Sequence, residues 1–413
     1  ALWSPNQAAV AQQETYTFTA PSGVGNTYNA TINGKTVTYS SIAADTAALA
    51  ATGLFNLLNL STGIAPELTE IQFTNPSAGV VTATARAPGT PFANQTVNGV
   101  SGAGLVLTTG NGLANGIATV HTTPNSSPSD VFDAQNWLRI NTAVNPPSKT
   151  RAIPASGDDV VVADTAVPLL WNLDRLVAVL FNTYTRWQSF IGTVGLPENN
   201  PAGYTEWRAT YFKFGGPAGS VPSGGLEVVL GYGSGAGPTR ERYDVGSTRT
   251  TLTCLAAGSA ADEFGIRFLG IHTTNTFTAL GGVSLGIATA PGEVANLSSS
   301  KVDGGATVGI GAGVMWTAGS TLTTFGGAAV LNSAPATVLG NIGTRFTFPT
   351  DSLTWATITV QGGCTLNWLA GGTITTLTMS TGCILDKSAD ARALTITNST
   401  IDGDSCQFLD PLN

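Results

Sequence analysis

Five short stretches in the last third of the chain share one form: "FTALGGVSLGIA" (277–288), "SKVDGGATVGIG" (300–311), "LTTFGGAAVLNS" (322–333), "ITVQGGCTLNWL" (358–369) and "LTMSTGCILDKS" (377–388). Each reads as a short alternating strand, a turn containing glycine and a second alternating strand. The Gly-Gly pairs begin at 281, 304, 326 and 362, giving steps of 23, 22 and 36, and Thr381-Gly382 follows nineteen residues after the last. The 36-residue step is close to two units of eighteen, and "LTITNSTIDG" (394–403) adds a half-formed unit. A strand-turn-strand unit recurring near every twenty residues cannot bury its apolar side alone and must stack on its neighbours. The expected product is an irregular parallel β-helix with coils ~4.8 Å apart, with a meandering β-sandwich as the alternative, and roughly seven coils from residue 272 onward would make a rod of about 30–35 Å.

Composition agrees with a stacked β surface. Charged residues make up 10% of the 413 positions, against roughly 25% in an ordinary globular chain. With 42% apolar residues the chain has a core to bury, unlike a disordered sequence. The net charge is −8, only five lysines occur and no basic run exists. A nucleic-acid binder needs clustered Lys and Arg to displace counterions, so nucleic acid is set aside as a partner. No stretch of about 18 apolar residues is present, so no membrane span is expected. "ALWSPNQAAVAQQETY" lacks the basic and apolar regions of a signal peptide, and a leading Ala is what removal of an initiator Met leaves, which favours cytoplasmic synthesis, with a matured secreted chain as the alternative.

The fold class expected overall is mainly β. Residues 1–13 read as an extended N-terminal arm. A βββαββ anchoring module follows over 14–120: "ETYTFTA" and "TYNATINGKTVTY" alternate with period two, and Asn33-Gly34 suits a two-residue hairpin turn. One helix is expected over 45–63, capped by Asp45, lined by Leu49, Leu54, Leu57 and Leu58 and stopped by Gly63. Strands at 68–74 and 79–86 complete the module, whose helix should cover one face of its sheet. Residues 121–150 are linker-like, 151–271 form a β-rich middle domain at the start of the solenoid, and 272–413 hold the solenoid-like repeats.

Catalytic constellations are sparse. The two histidines, His121 and His272, have no Ser or Cys in a nucleophile-elbow context. No closely spaced Cys or His pair suggests zinc, and "GYGSGAGP" (231–238) precedes a charged stretch rather than the helix a phosphate loop needs. No catalytic residue, cofactor or metal is expected. Paired carboxylates are the serious enzymatic alternative, because glycosidic cleavage uses such pairs. The candidates are Asp158/Asp159, Asp262/Glu263 and Asp402/Asp404, each also readable as turn structure.

Two stretches carry a resemblance. "LWSPNQAAVAQQETYTFTA…YNATINGKTVTY…ADTAALAATGLFNLLN…PELTEIQFT…VVTATARAPGTPF" resembles the opening module of structural proteins of tailed bacteriophages. "AQNW…P…GDDVVVAD", with "FIGTVGLPENN…YTEWRATYFKFGG" further on, is similar to the first coils of many β-solenoid surface proteins. Together they cover roughly half the chain. The resemblance implies a non-enzymatic virion structural protein on the particle surface, a capsid decoration (cement) or head-fibre protein. Its partners would be the major capsid protein or other virion subunits, in a homotrimer, with a host surface glycan as an optional ligand. A tail fibre or tailspike that binds or cleaves glycan, and a secreted adhesin or surface-layer protein, are the alternatives. By analogy with arms that order on assembly, Trp3, Pro5 and Val10 are the expected docking residues.

Four cysteines in so long a chain are too few for a disulfide scaffold. Cys364 and Cys383 occupy equivalent repeat positions, which predicts that they stack on successive coils as buried, unbonded thiols.

Overall fold

The computed structural model describes residues 1–5, 13–32, 35–61, 66–86, 95–100, 105–109, 134–167, 169, 177–178, 181–195, 211–215, 224–233, 240–255, 264–402 and 404–410. Two hydrophobic cores form, one within residues 16–85 and one within residues 3 and 137–385.

The first core belongs to a small antiparallel unit. Thr27–Ile32 pairs with Lys35–Ser40 in the register of a two-residue hairpin loop, as Asn33-Gly34 requires. The expected βββαββ order is present, and two further strands, Gln95–Val100 and Leu105–Thr109, follow it. The strands divide into a four-stranded and a three-stranded sheet rather than a single one. The helix runs Ala47–Leu60 and is capped by Thr46, whose side chain accepts from the Leu49 N–H. Asp45, the expected cap, instead accepts from the Ile42 N–H and the Tyr39 hydroxyl, closing the turn one step earlier. The buried stripe is Ala50, Ala51, Leu54 and Leu58, while Leu49 is exposed. Gly63 lies outside the described residues.

The second core fills a parallel β-solenoid from Asp159 to Leu409. Each coil gives one strand to a first sheet and one to a second, and successive coils pair in parallel and in register. From residue 272 the first-sheet strands are Thr276–Ala279, Ser300–Asp303, Thr321–Phe325, Thr337–Asn341, Leu353–Val360, Gly372–Met379 and Leu394–Ile401, the seven coils that the repeat implies. The same sheets already run through Asp159–Val162, Thr183–Trp187, Leu226–Tyr232 and Thr250–Cys254. The middle segment therefore shares one continuous core with the repeats. A third, short side appears where Ala295–Leu297 pairs with Val314–Trp316.

Parallel register turns sequence alternation into ladders. On the first sheet Leu322, Val338, Ile358 and Leu377 stack inward. On the second, Ile266, Leu285, Val308, Ala329, Phe346, Leu366 and Leu385 do the same. Where ladders would collide, a small residue yields: a Cβ on Gly340 would lie 2.6 Å from the Phe346 ring.

The N-terminal end of the stack is sealed by the arm. Leu2–Trp3 inserts as a strand between Asp159–Val162, in parallel, and Trp137–Asn141, antiparallel, and Ser148–Arg151 completes the edge. The Trp3 ring packs edge-on against Trp137, with centroids 4.9 Å apart.

The glycine turns have one physical cause. At five of them two successive residues take left-handed backbone angles, Gly304-Gly305, Gly326-Gly327, Ile342-Gly343, Gly362-Gly363 and Thr381-Gly382, while at Gly281-Gly282 only Gly281 does. Paired positive φ values make the tight reversal of a type I′ turn, which glycine adopts without steric cost. The 36-residue step is thereby explained. It holds two coils of 16 residues (Thr321 to Thr337) and 20 residues (Thr337 to Thr357), and the turn between them carries Ile342 where its neighbours carry glycine. A β-branched residue with φ 49° is strained, and Ile342 is also 71% exposed. Ile342→Asn, which tolerates this conformation, is expected to raise stability by about 1 kcal/mol. Gly327→Ala, whose Cβ would sit 2.2 Å from the Ala306 carbonyl oxygen, is expected to lower it by more than about 1 kcal/mol. Denaturant midpoints of the two variants measure both.

Candidate functional site

Among the described residues, a group of interacting polar side chains lies in the coils between Thr183 and Glu293, partly inside the solenoid and partly on the outer face of its second sheet. Alternation in "TYTRW" puts Arg186 in phase with Tyr184, and "ERYD" puts Glu241 in phase with Tyr243. All four side chains therefore point into the core, where all are fully buried. Arg186 stacks between Val162 and Leu230 in a first-sheet ladder, and Glu241 heads the second-sheet ladder that continues with Ile266. The two meet across the core. Arg186 Nε donates to Glu241 Oε2 at 3.1 Å, Nη2 donates to Oε1, and the Tyr243 hydroxyl donates to Oε2 at 2.8 Å. Burial pulls the Arg186 guanidinium down, but Glu241 and the tyrosines outweigh it and hold the guanidinium protonated. Burial, reinforced by Glu241, pushes the Tyr243 phenol far above its ordinary range.

A second group lines the outer face. Arg242, fully buried, donates through Nη1 to the carbonyl oxygens of Glu241, Phe264 and Gly265 at 2.9, 3.3 and 3.3 Å. The Phe264 ring lies over Gly286 and Gly309, where a Cβ would come within 2.8 and 2.1 Å of it. The Tyr211 hydroxyl donates to Glu293 Oε1, and the Ala290 N–H donates to Oε2 at 2.9 Å. Burial raises the Asp244 carboxyl, and Glu293 nearby adds to the rise. A carboxyl shifted upward beside a second carboxyl is the raw material of acid–base chemistry. Here both Glu293 oxygens are engaged, one by a nearly buried phenol and one by a turn amide. The geometry is that of a lock between coils.

The residues singled out by sequence fall as follows. Asp158 accepts two bonds from Arg139, at 2.8 and 2.9 Å, and one from the Ala155 N–H. Burial raises its pKa, but these bonds outweigh burial and hold the carboxyl below its ordinary range. Asp159 accepts from Asn182 Nδ2 and Thr183 Oγ1 on the next coil, both at 2.9 Å. Asp402 accepts from the Ser405 hydroxyl and Asp404 is exposed. His272 closes a turn by accepting from the Thr274 N–H. His121, Asp262, Glu263 and Val10 lie outside the described residues. Trp3, expected at a subunit contact, is 1% exposed and serves the chain's own core, with Nε1 donating to the Val167 carbonyl at 3.3 Å. Pro5 beside it is half-buried.

Cys364 and Cys383 are free, buried and on neighbouring coils, because Thr365 pairs with Ile384. Each thiol donates to a turn carbonyl three residues earlier, Gln361 and Ser380, at 3.0 Å. Ile384 pairs in turn with Gln407, so Cys406 joins the column; its weaker local repeat hid it from the sequence. Among the described residues no cluster of three or more His, Cys, Asp or Glu side chains is placed to hold a metal, and no helix is long and apolar enough to cross a membrane.

Sequence reasoning missed Arg186 and Glu241. The available signal was a charged residue occupying an inward position of an alternating strand. No protein-family model, curated protein or solved structure matches the chain.

Glu241→Gln removes the carboxylate that accepts two bonds from the buried Arg186 and is expected to cost about 3–5 kcal/mol in denaturant unfolding. At the sealed end the Asp158 carboxyl is depressed on folding. Its stabilisation is thus present above the unfolded value of about 3.9 and is lost as pH falls through the folded one. Melting scans from pH 7 to pH 3 should show a smaller acid-induced drop for Asp158→Asn than for the wild type.

Proposed function

We propose that this chain is a structural component of a bacteriophage particle, a capsid decoration or head-fibre protein whose solenoid forms a stiff projecting body. The observation that carries this reading is the pair of stacked sheets that continues from Asp159 to Leu409 around one hydrophobic core, whose described acidic side chains are largely tied into turns and ion pairs of the chain itself. Such a body resists bending because each coil is hydrogen-bonded along two sheets to the next. The resemblance of the N-terminal stretch to phage structural modules supports the placement on a virion, with the major capsid protein or another virion subunit as partner. The same resemblance supports a homotrimer, with the small antiparallel unit as its anchor and Pro5 and Val10 in the docking arm.

Density-gradient-purified particles from the producing host, analysed by quantitative mass spectrometry, test this. The chain is expected at a fixed ratio to the major capsid protein, and its absence from particles overturns the reading. Sedimentation equilibrium of the purified protein should give three times the 42.0 kDa chain mass. Shortening of host capsule or lipopolysaccharide on incubation with the protein would favour a tailspike instead.

A further inference from the structure

Most of the large aromatic side chains described in the solenoid are turned inward; Trp3, Trp137, Trp355 and Trp368 are all fully buried. Trp187 is 37% exposed and Tyr232 47%, and they stand together on the outside of the first sheet, edge to face, with ring centroids 4.5 Å apart. Their meeting depends on a local irregularity. The strands Thr183–Trp187 and Leu226–Tyr232 pair in order as far as Arg186 and Leu230, and then the register slips so that Trp187 pairs with Tyr232. Without that bulge Tyr232, two residues after the inward Leu230, would point into the core. A bulge that re-aims one side chain is a feature of built sites more often than a defect.

The pair is also held rigid. Gly233, with φ +85°, leaves room for the indole: a Cβ there would lie 2.9 Å from Trp187 Cε3. The Gln188 N–H donates to the Tyr232 carbonyl at 2.9 Å, and the Phe190 N–H donates to the Trp187 carbonyl at 3.1 Å. These bonds fix the backbone on both sides of the rings. The chain leaves the first sheet for its longest excursion at this point, with 44 residues from Thr183 to its partner Glu227, and binding groups collect where loops leave a rigid scaffold.

We propose that Trp187 and Tyr232 form a stacking platform for a neutral saccharide chain. Two partly exposed rings present on the order of 150–200 Å², well short of the roughly 800 Å² per partner that a stable protein contact buries. That area suits the apolar C–H face of a sugar ring. The surface beside the platform supplies polar groups for the sugar's hydroxyls: Thr185 on the Trp187 strand, Thr251 and Thr253 one coil beyond Tyr232, and the exposed Glu227, which lies between Thr183 and Thr251 in one column. A preformed pair of rings flanked by hydrogen-bonding side chains binds a polyhydroxylated ligand with little ordering cost, and Glu227 beside it disfavours an anionic glycan. The proposal stands apart from the particle assignment, since saccharide binding and particle incorporation are read by separate measurements.

Native affinity electrophoresis of the full chain through gels containing dextran, pullulan, hydroxyethyl cellulose or glycol chitin provides the test, followed by titration with the matching hexasaccharide. Retardation by at least one neutral glycan is expected. Trp187→Ala and Tyr232→Ala should each weaken it on the order of tenfold, while Phe325→Ala, which removes a partly exposed ring elsewhere on the first sheet, should leave it unchanged. Melting temperatures of the variants separate lost binding from lost folding, and Trp187→Phe, which keeps a ring, should retain part of the affinity. Retardation by none of the glycans, or equal retardation of all variants, overturns the proposal. So does self-association of the wild type that Trp187→Ala abolishes, which would make the platform a contact between copies.

Discussion

Parallel, in-register hydrogen bonding between successive coils is the constraint on which the solenoid depends. Once Thr337 is bonded beside Thr357 and Thr357 beside Thr376, every neighbouring position is set as well. A residue then stacks on its equivalents above and below, so one badly matched side chain is felt by two coils. The inward ladders are accordingly apolar, and the reversals are confined to residues that accept a left-handed backbone. Ile342 and Thr381 are tolerated in those turns because the adjacent coils over-determine the conformation: Gly343 N–H donates to the Gly362 carbonyl and Gly363 N–H to the Thr381 carbonyl, both at 2.8 Å.

Against that background the buried Arg186–Glu241 pair stands out. Two charges inside an otherwise apolar ladder are costly to desolvate and add little net stability over well-packed hydrophobic residues. What they contribute is pairing specificity. The coil that begins at Thr183 takes 44 residues to return, where its neighbours on either side take 24. After so long an excursion the returning strand has several apolar positions on which it could stack. An Arg that must find its carboxylate, and a carboxylate that must also receive the Tyr243 hydroxyl, select one of them.

Much of this was legible beforehand. The period, the Gly-containing turn and the alternation on either side identified the stacked coils from 272 onward, and they placed Cys364 beside Cys383. The hairpin across Asn33-Gly34 was legible too, because local turn chemistry decides it. Asp45 misled because Thr46, one residue later, is an equally good cap and lies closer to the free amide of Leu49. The coils before 272 were obscured by loops of unequal length, which dilute a periodic signal without changing the stacking. The aromatic platform left no trace, since "TYTRW" and "LGYG" are ordinary strand sequences and only the bulge between them turns Tyr232 outward.

The sequence by itself determined that this chain would build a β-solenoid, because alternation and turn residues act within a single coil and need no distant partner. Tertiary structure alone decided which residues became neighbours across coils. It brought Glu241 to Arg186 over 55 positions, joined Cys406 to the thiol column, and drew Trp3 out of an expected free arm to seal the end of the stack against Trp137. Each of these depends on how the intervening loops close and on which strand edge is left unpaired. Local pattern does not encode those quantities, and the free energy of stacking the whole core does.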